Sequence, residues 1–120
     1  MPTIEISQKV LEKLVGKKVD LDDLEVVKGS IDSQDGDRIK LEIGDTNRPD
    51  LWSVEGVARV MRGYYGLEKG IPKLRIKPSG KKIIVNKNIR YIRPFIAGFI
   101  AKKLKITEEL LLDIIQIQEK

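Results

Sequence analysis

The stretch Asp35-Gly36-Asp37-Arg38-Ile39-Lys40-Leu41-Glu42-Ile43 decides the fold, because a turn signal is followed at once by strict alternation of polar and apolar residues. Asp-Gly favours the tight turn of a β-hairpin, and a side-chain period of two puts Ile39, Leu41 and Ile43 on one face of a strand. The partner before the turn, around Ser30 to Ser33, is mostly polar and reads as a weak strand. After the hairpin, a polar turn from Gly44 to Asp50 leads into a helix over residues 53–65. Ser53 is its cap, Glu55 suits the positive N-terminus and is spaced to pair with Arg59, and Val54, Val57, Ala58, Met61 and Tyr65 make the apolar stripe. Gly66 ends it.

Upstream, Ser7 can cap a short helix carrying Val10, Leu11, Leu14 and Val15, with Gly16 placed to stop it. A second helix follows Asp20, with Asp22 and Asp23 in its first turn and Val19 and Leu24 at the stapling positions. Downstream, Gly70 and Pro72 mark a linker, and two strands are expected over residues 73–77 and 81–85, around the turn Pro78-Ser79-Gly80. Phe95 to Ala101 is apolar on both faces, as a strand inside a sheet would be. Thr107 then caps a helix, with Leu110, Leu111, Leu112, Ile114, Ile115 and Ile117, that is apolar round most of its circumference and needs partners on more than one side. The expectation is an α+β chain, with short helices packed on small, mainly antiparallel sheets, ending in the first strand and helix of a second domain. On this reading the chain is an N-terminal fragment cut shortly after that domain begins.

The length of 120 residues suits one domain, and 41% hydrophobic with 34% charged residues allows both a core and a soluble exterior. There is no Cys and no His. A disulfide scaffold, a zinc site built on those residues, a thiol nucleophile and any imidazole-based triad are thereby excluded. The longest apolar run, residues 95–101, is seven residues, far short of the roughly 20 that span a bilayer, and Met1-Pro2 opens no secretory leader. The expected location is cytoplasmic. Seventeen Ile, with Lys and Glu leading the charges, match the composition of proteins from hot environments.

Charge is divided along the chain. Residues 1–50 carry a net −4 and residues 51–120 a net +9, and from Lys69 to Lys105 there are 12 basic residues and no acidic one. Lys81, Lys82, Arg90, Arg93, Lys102 and Lys103 in this run are candidates for contact with a nucleic-acid backbone. The competing reading is a solvated face, since the run lacks the aromatic interleaving of single-strand binders. The turn holding Asp45, Asn47, Arg48, Pro49 and Asp50, followed by Trp52, is the other candidate. Asp45 and Asp50 could hold Mg²⁺, as in a carboxylate hydrolase, Arg48 could clamp an anion, or Trp52, the only Trp, could stack on a base. Structurally, the same residues are turn formers and caps, Arg48 pairs with a neighbouring acid, and Trp52 packs on the helix it precedes. No catalytic, cofactor-binding or metal-binding residue is assigned.

Residues 45–59, Asp-Thr-Asn-Arg-Pro-Asp-Leu-Trp-Ser-Val-Glu-Gly-Val-Ala-Arg, resemble the signature near the start of the beta subunit of phenylalanyl-tRNA synthetase in its archaeal and eukaryotic form. Met1-Pro2-Thr3-Ile4-Glu5, Ile92 to Ala97 and Leu110 to Glu119 agree in order and spacing, so the resemblance covers nearly the whole chain. It implies residues 1–80 as the N-terminal module and residues 81–120 as the start of a truncated, B3/B4-like editing domain, which removes tyrosine wrongly attached to the tRNA. It implies a heterotetramer of two alpha and two beta subunits that joins phenylalanine to tRNA(Phe) using ATP and Mg²⁺, with neither cofactor held by this fragment. The aminoacylation site lies on the alpha subunit, so the fragment alone is expected to be inactive, serving assembly, positioning and auxiliary tRNA contact. The alternative is a free-standing basic RNA-binding module.

Overall fold

The computed structural model describes residues 1–71 and 73–120, so Pro72, half of the expected linker, lies outside the described residues. Strands β1 (Thr3–Ser7), β2 (Gly29–Asp35) and β3 (Arg38–Ile43) form an antiparallel sheet in the order β1-β3-β2. The expected strand is thus the central one. Ile6 lies opposite Ile39 and Ile4 opposite Leu41, and all four side chains, with Ile43, are fully buried on one face. Strand β2 is weak as its composition foretold: the register slips between Ile31 and Ser33, and its residues from Ser30 onward are exposed. Sequence reading missed β1, although Ile4 and Ile6 alternate with Thr3 and Glu5.

Two helices cover the buried face. In α1 (Gln8–Val15), the Ser7 hydroxyl accepts from the Val10 N–H, and Gly16 closes the C-terminus in the left-handed region at φ 90°. Asp37, from the hairpin turn, completes the N-terminus: its carboxylate accepts from the Ser7 hydroxyl and from the Lys9 N–H at 2.9 Å, and its carbonyl accepts from the Gln8 N–H at 2.8 Å. Those hydrogen bonds, from Ser7 first and then Lys9, hold the Asp37 carboxyl below its ordinary range. Helix α2 (Val54–Tyr64) is capped by Ser53 and buries Val54, Val57, Ala58 and Met61, as its stripe required. The helix expected after Asp20 is a 3-10 helix over Leu21–Val27. It is capped by Asp20 as foreseen and buries Leu24, and Val19 is buried beside it. Such side chains contribute roughly 1.5–3 kcal/mol each when fully buried.

Of the adjacent tyrosines, Tyr65 packs on the core and Tyr64 is exposed. The Tyr65 hydroxyl donates to Asp23 at 2.6 Å, the Lys17 ammonium lies 3.9 Å from its ring centre, and burial, helped by Asp23, pushes its pKa up to about 12.

The chain divides into two compact units, residues 1–70 with 106–120, and residues 71–105. The second unit holds a short 3-10 turn at Lys87–Ile89 and no strand among its described residues. The expected strands over 73–77, 81–85 and 95–101 are corrected accordingly. Residues 73–77 alternate and 95–101 are apolar throughout, patterns suited to a sheet, but backbone ladders need neighbours, and Leu74, Ile76, Ile84, Phe95 and Phe99 are exposed. Helix α3 (Glu108–Glu119) forms where expected, with the Thr107 hydroxyl accepting from the Leu110 N–H at 3.3 Å. The architecture is α+β, as the sequence indicated.

Candidate functional site

The turn ahead of α2 is short and closed on itself. Pro49–Leu51 makes a 3-10 turn, with the Leu51 N–H donating to the Arg48 carbonyl at 2.9 Å. Arg48 forks onto Asp50, Nε to Oδ1 at 2.9 Å and Nη2 to Oδ2 at 2.8 Å. The hydrogen bonds and charge of this pair hold the Asp50 carboxyl below its ordinary range and raise the Arg48 guanidinium. Asp45 has its own cation, Lys28, 3.0 Å away on a residue 17 positions earlier. Each carboxylate thus faces a cation of this chain, and no group of three or more ligating side chains is gathered among the described residues. The Arg48 guanidinium is occupied by Asp50.

What the motif does is bring backbone against backbone. A Cβ added at Gly56 would fall on the main-chain carbonyl of Asp50, far inside van der Waals contact. Only glycine lets the turn lie on the first coil of α2, where the Ser53 hydroxyl accepts from the Gly56 N–H at 3.2 Å. Leu51 is buried under this join, and Trp52 packs against the core. The Trp52 indole N–H is buried without a hydrogen-bond partner among the described residues. The anticipated Glu55–Arg59 pair is not among the ion pairs within 4.0 Å of the described residues. A lone glycine inside a helical pattern was the available signal for the close approach. Neither Lys28 as partner of Asp45 nor Asp37 as a cap for α1 was visible from the motif alone.

The six basic candidates, Lys81, Lys82, Arg90, Arg93, Lys102 and Lys103, are all exposed. Of these, Arg90 lines an open hollow of about 600 Å³ with Lys87, Asn88 and Tyr91. Asn86 caps the turn that carries it, accepting from the Asn88 N–H at 3.0 Å, and the Arg93 N–H donates to the Ile89 carbonyl at 2.8 Å. No ion pair within this unit neutralises these cations among the described residues. Exposed cations of this kind make a diffuse positive surface, whose hold on an anion would weaken with salt.

No helix is long and apolar enough to cross a membrane among the described residues. No family model matches the chain. Its whole length aligns at 41% identity with the phenylalanine–tRNA ligase beta subunit of Pyrococcus furiosus, covering 23% of that protein. The beta subunits of Pyrococcus horikoshii and Methanocella arvoryzae align over the whole chain at 37% and 34% identity, covering 23% and 22% of their lengths. A crystal structure of an N-terminal fragment of the phenylalanyl-tRNA synthetase beta subunit from Pyrococcus horikoshii superposes with a TM-score of 0.78 at 34% identity, covering 98% of this chain and 36% of that one. The chain thus spans less than a quarter of the length of the curated relatives it matches.

Proposed function

From the premise that this chain is, over its whole length, a homologue of archaeal phenylalanine–tRNA ligase beta subunits and matches the N-terminal fragment of one, we propose that it is the non-catalytic N-terminal module of such a subunit. Its role is assembly and positioning within a cytoplasmic heterotetramer of two alpha and two beta subunits. That enzyme joins phenylalanine to tRNA(Phe) with ATP and Mg²⁺ on residues outside this chain. Residues 81–120 open the editing domain. The observation that carries the non-catalytic reading is the use of the signature's polar groups: Asp45 and Asp50 each face a cation of this chain, and Gly56 is spent on backbone contact.

The basic segment supplies auxiliary contact to the tRNA. Each phosphate neutralised releases counterions, so affinity falls with salt and carries little sequence preference. Binding of a tRNA(Phe) transcript, titrated over salt, should weaken and lose slope when Lys81, Lys82, Lys102 and Lys103 are changed to Ala. Unchanged affinity and slope would remove the contact. For the assembly role, the alpha subunit co-expressed with a beta subunit carrying this module should co-purify with it. A beta subunit lacking residues 1–70 that still yields the full heterotetramer would contradict it.

A further inference from the structure

Helix α3 sits on the first unit the wrong way round for an apolar helix. Leu111, Leu112, Ile114, Ile115 and Ile117 are each 43–49% exposed, while the residue it buries is Asp113. Its attachment is polar. Strand β1 is an edge strand, and the main chain of Glu5 faces away from β3 because the even-numbered neighbours take the ladder. The Gln116 amide clasps that free edge: its oxygen accepts from the Glu5 N–H at 2.7 Å and its nitrogen donates to the Glu5 carbonyl at 3.4 Å. Two turns earlier, Glu109 accepts a forked pair of bonds from Arg38 at 3.0 and 3.2 Å. Asp113 lies between these anchors. The charged groups facing it are Glu55 from α2, Glu109 from its own helix and Arg38 from β3, and Arg38 is already bonded to Glu109.

We infer that α3 is a polar latch across the free edge of β1, held most firmly in acid and loosened toward neutral pH, when the buried carboxylate of Asp113 meets the acids around it. Burial first, then the charges of Glu55 and Glu109, push this carboxyl up from 3.8 to about 6. A carboxyl whose pKa is higher docked than free favours the docked helix while protonated. That advantage is lost as pH rises from the free value through the docked one. Each unit is tenfold in an equilibrium constant, so docking weakens by up to about a hundredfold between pH 4 and pH 7.5. Apolar burial, which would resist this, is partial: Leu110 is half-buried and no apolar side chain of α3 is fully buried.

The Glu5 amide reports the latch directly, since on an edge strand its protection from hydrogen exchange depends on Gln116. In the 120-residue chain, exchange corrected for its intrinsic pH dependence should show Glu5 losing protection by up to about tenfold between pH 5 and pH 7.5, while the Ile6 and Ile39 amides keep theirs. Asp113→Asn should abolish the dependence and restore Glu5 protection at pH 7.5. Gln116→Ala should leave Glu5 unprotected at both values with the inner ladder intact, which separates loss of the clasp from loss of fold. Equal protection of Glu5 at both pH values in the unaltered chain, or the same dependence persisting in Asp113→Asn, would overturn the proposal.

Discussion

Arg38-Ile39-Lys40-Leu41-Glu42 and Lys73-Leu74-Arg75-Ile76-Lys77 carry the same local pattern, yet the first is the central strand of a sheet and the second is not a strand. The difference lies outside both segments. The first has β1 on one side, β2 on the other, and α1 and α2 over the face that carries Ile39, Leu41 and Ile43. The second has no ladder partner among the described residues, and Leu74 and Ile76 are 78% and 86% exposed. Alternation states which face a strand would bury. It does not supply the surface to bury it against.

If the first unit depends on the join between turn and helix, Gly56→Ala should break it with the largest effect of any single methyl group. A loss of about 4 kcal/mol or more is expected in thermal or denaturant unfolding, since the obstacle is backbone and cannot swing aside. Truncation of the central strand comes next. Leu41→Ala should cost about 3 kcal/mol, whereas Phe99→Ala, 93% exposed in the second unit, should stay within roughly 0.5 kcal/mol. Equal costs at these two sites would erase the contrast between the units.

A smaller, pH-dependent effect distinguishes the cap on α1. Hydrogen bonding depresses the Asp37 carboxyl in the folded state, so its contribution is present above the unfolded value near 3.8 and is lost as pH falls through the folded one. Asp37→Asn should therefore lower Tm at pH 7 and flatten the acid limb of Tm against pH. Smallest of all should be Arg48→Ala. The Arg48–Asp50 pair is exposed on both sides and screened by solvent, so Tm should move much less than in Gly56→Ala.

The first unit was largely legible because its determinants are local. Ser7, Asp20, Ser53 and Thr107 announce their helices by capping chemistry, and Asp35-Gly36 announces the hairpin. Strand β1 was overlooked because it is brief and joins its partner across 30 or more intervening residues. The second helix was misjudged in type, since caps mark where a helix starts and do not separate α from 3-10. The site was legible only in part. Arg48 and Asp50 are two residues apart and foretold their pairing, but Lys28 reaches Asp45, and Asp37 reaches the start of α1, only through the folded sheet. The strands expected over 73–77, 81–85 and 95–101 rest on a turn signal and an apolar run, neither of which supplies a ladder partner.

On the function proposed above, the first unit is architecture and the second carries the anion contact. Hydrogen exchange of the chain, recorded with and without a tRNA(Phe) transcript at low salt, tests that division most directly. Protection gained within residues 71–105, with the turn and helix over residues 45–64 unchanged, is the expected result. Protection confined to residues 45–64, or none in either region, would contradict it.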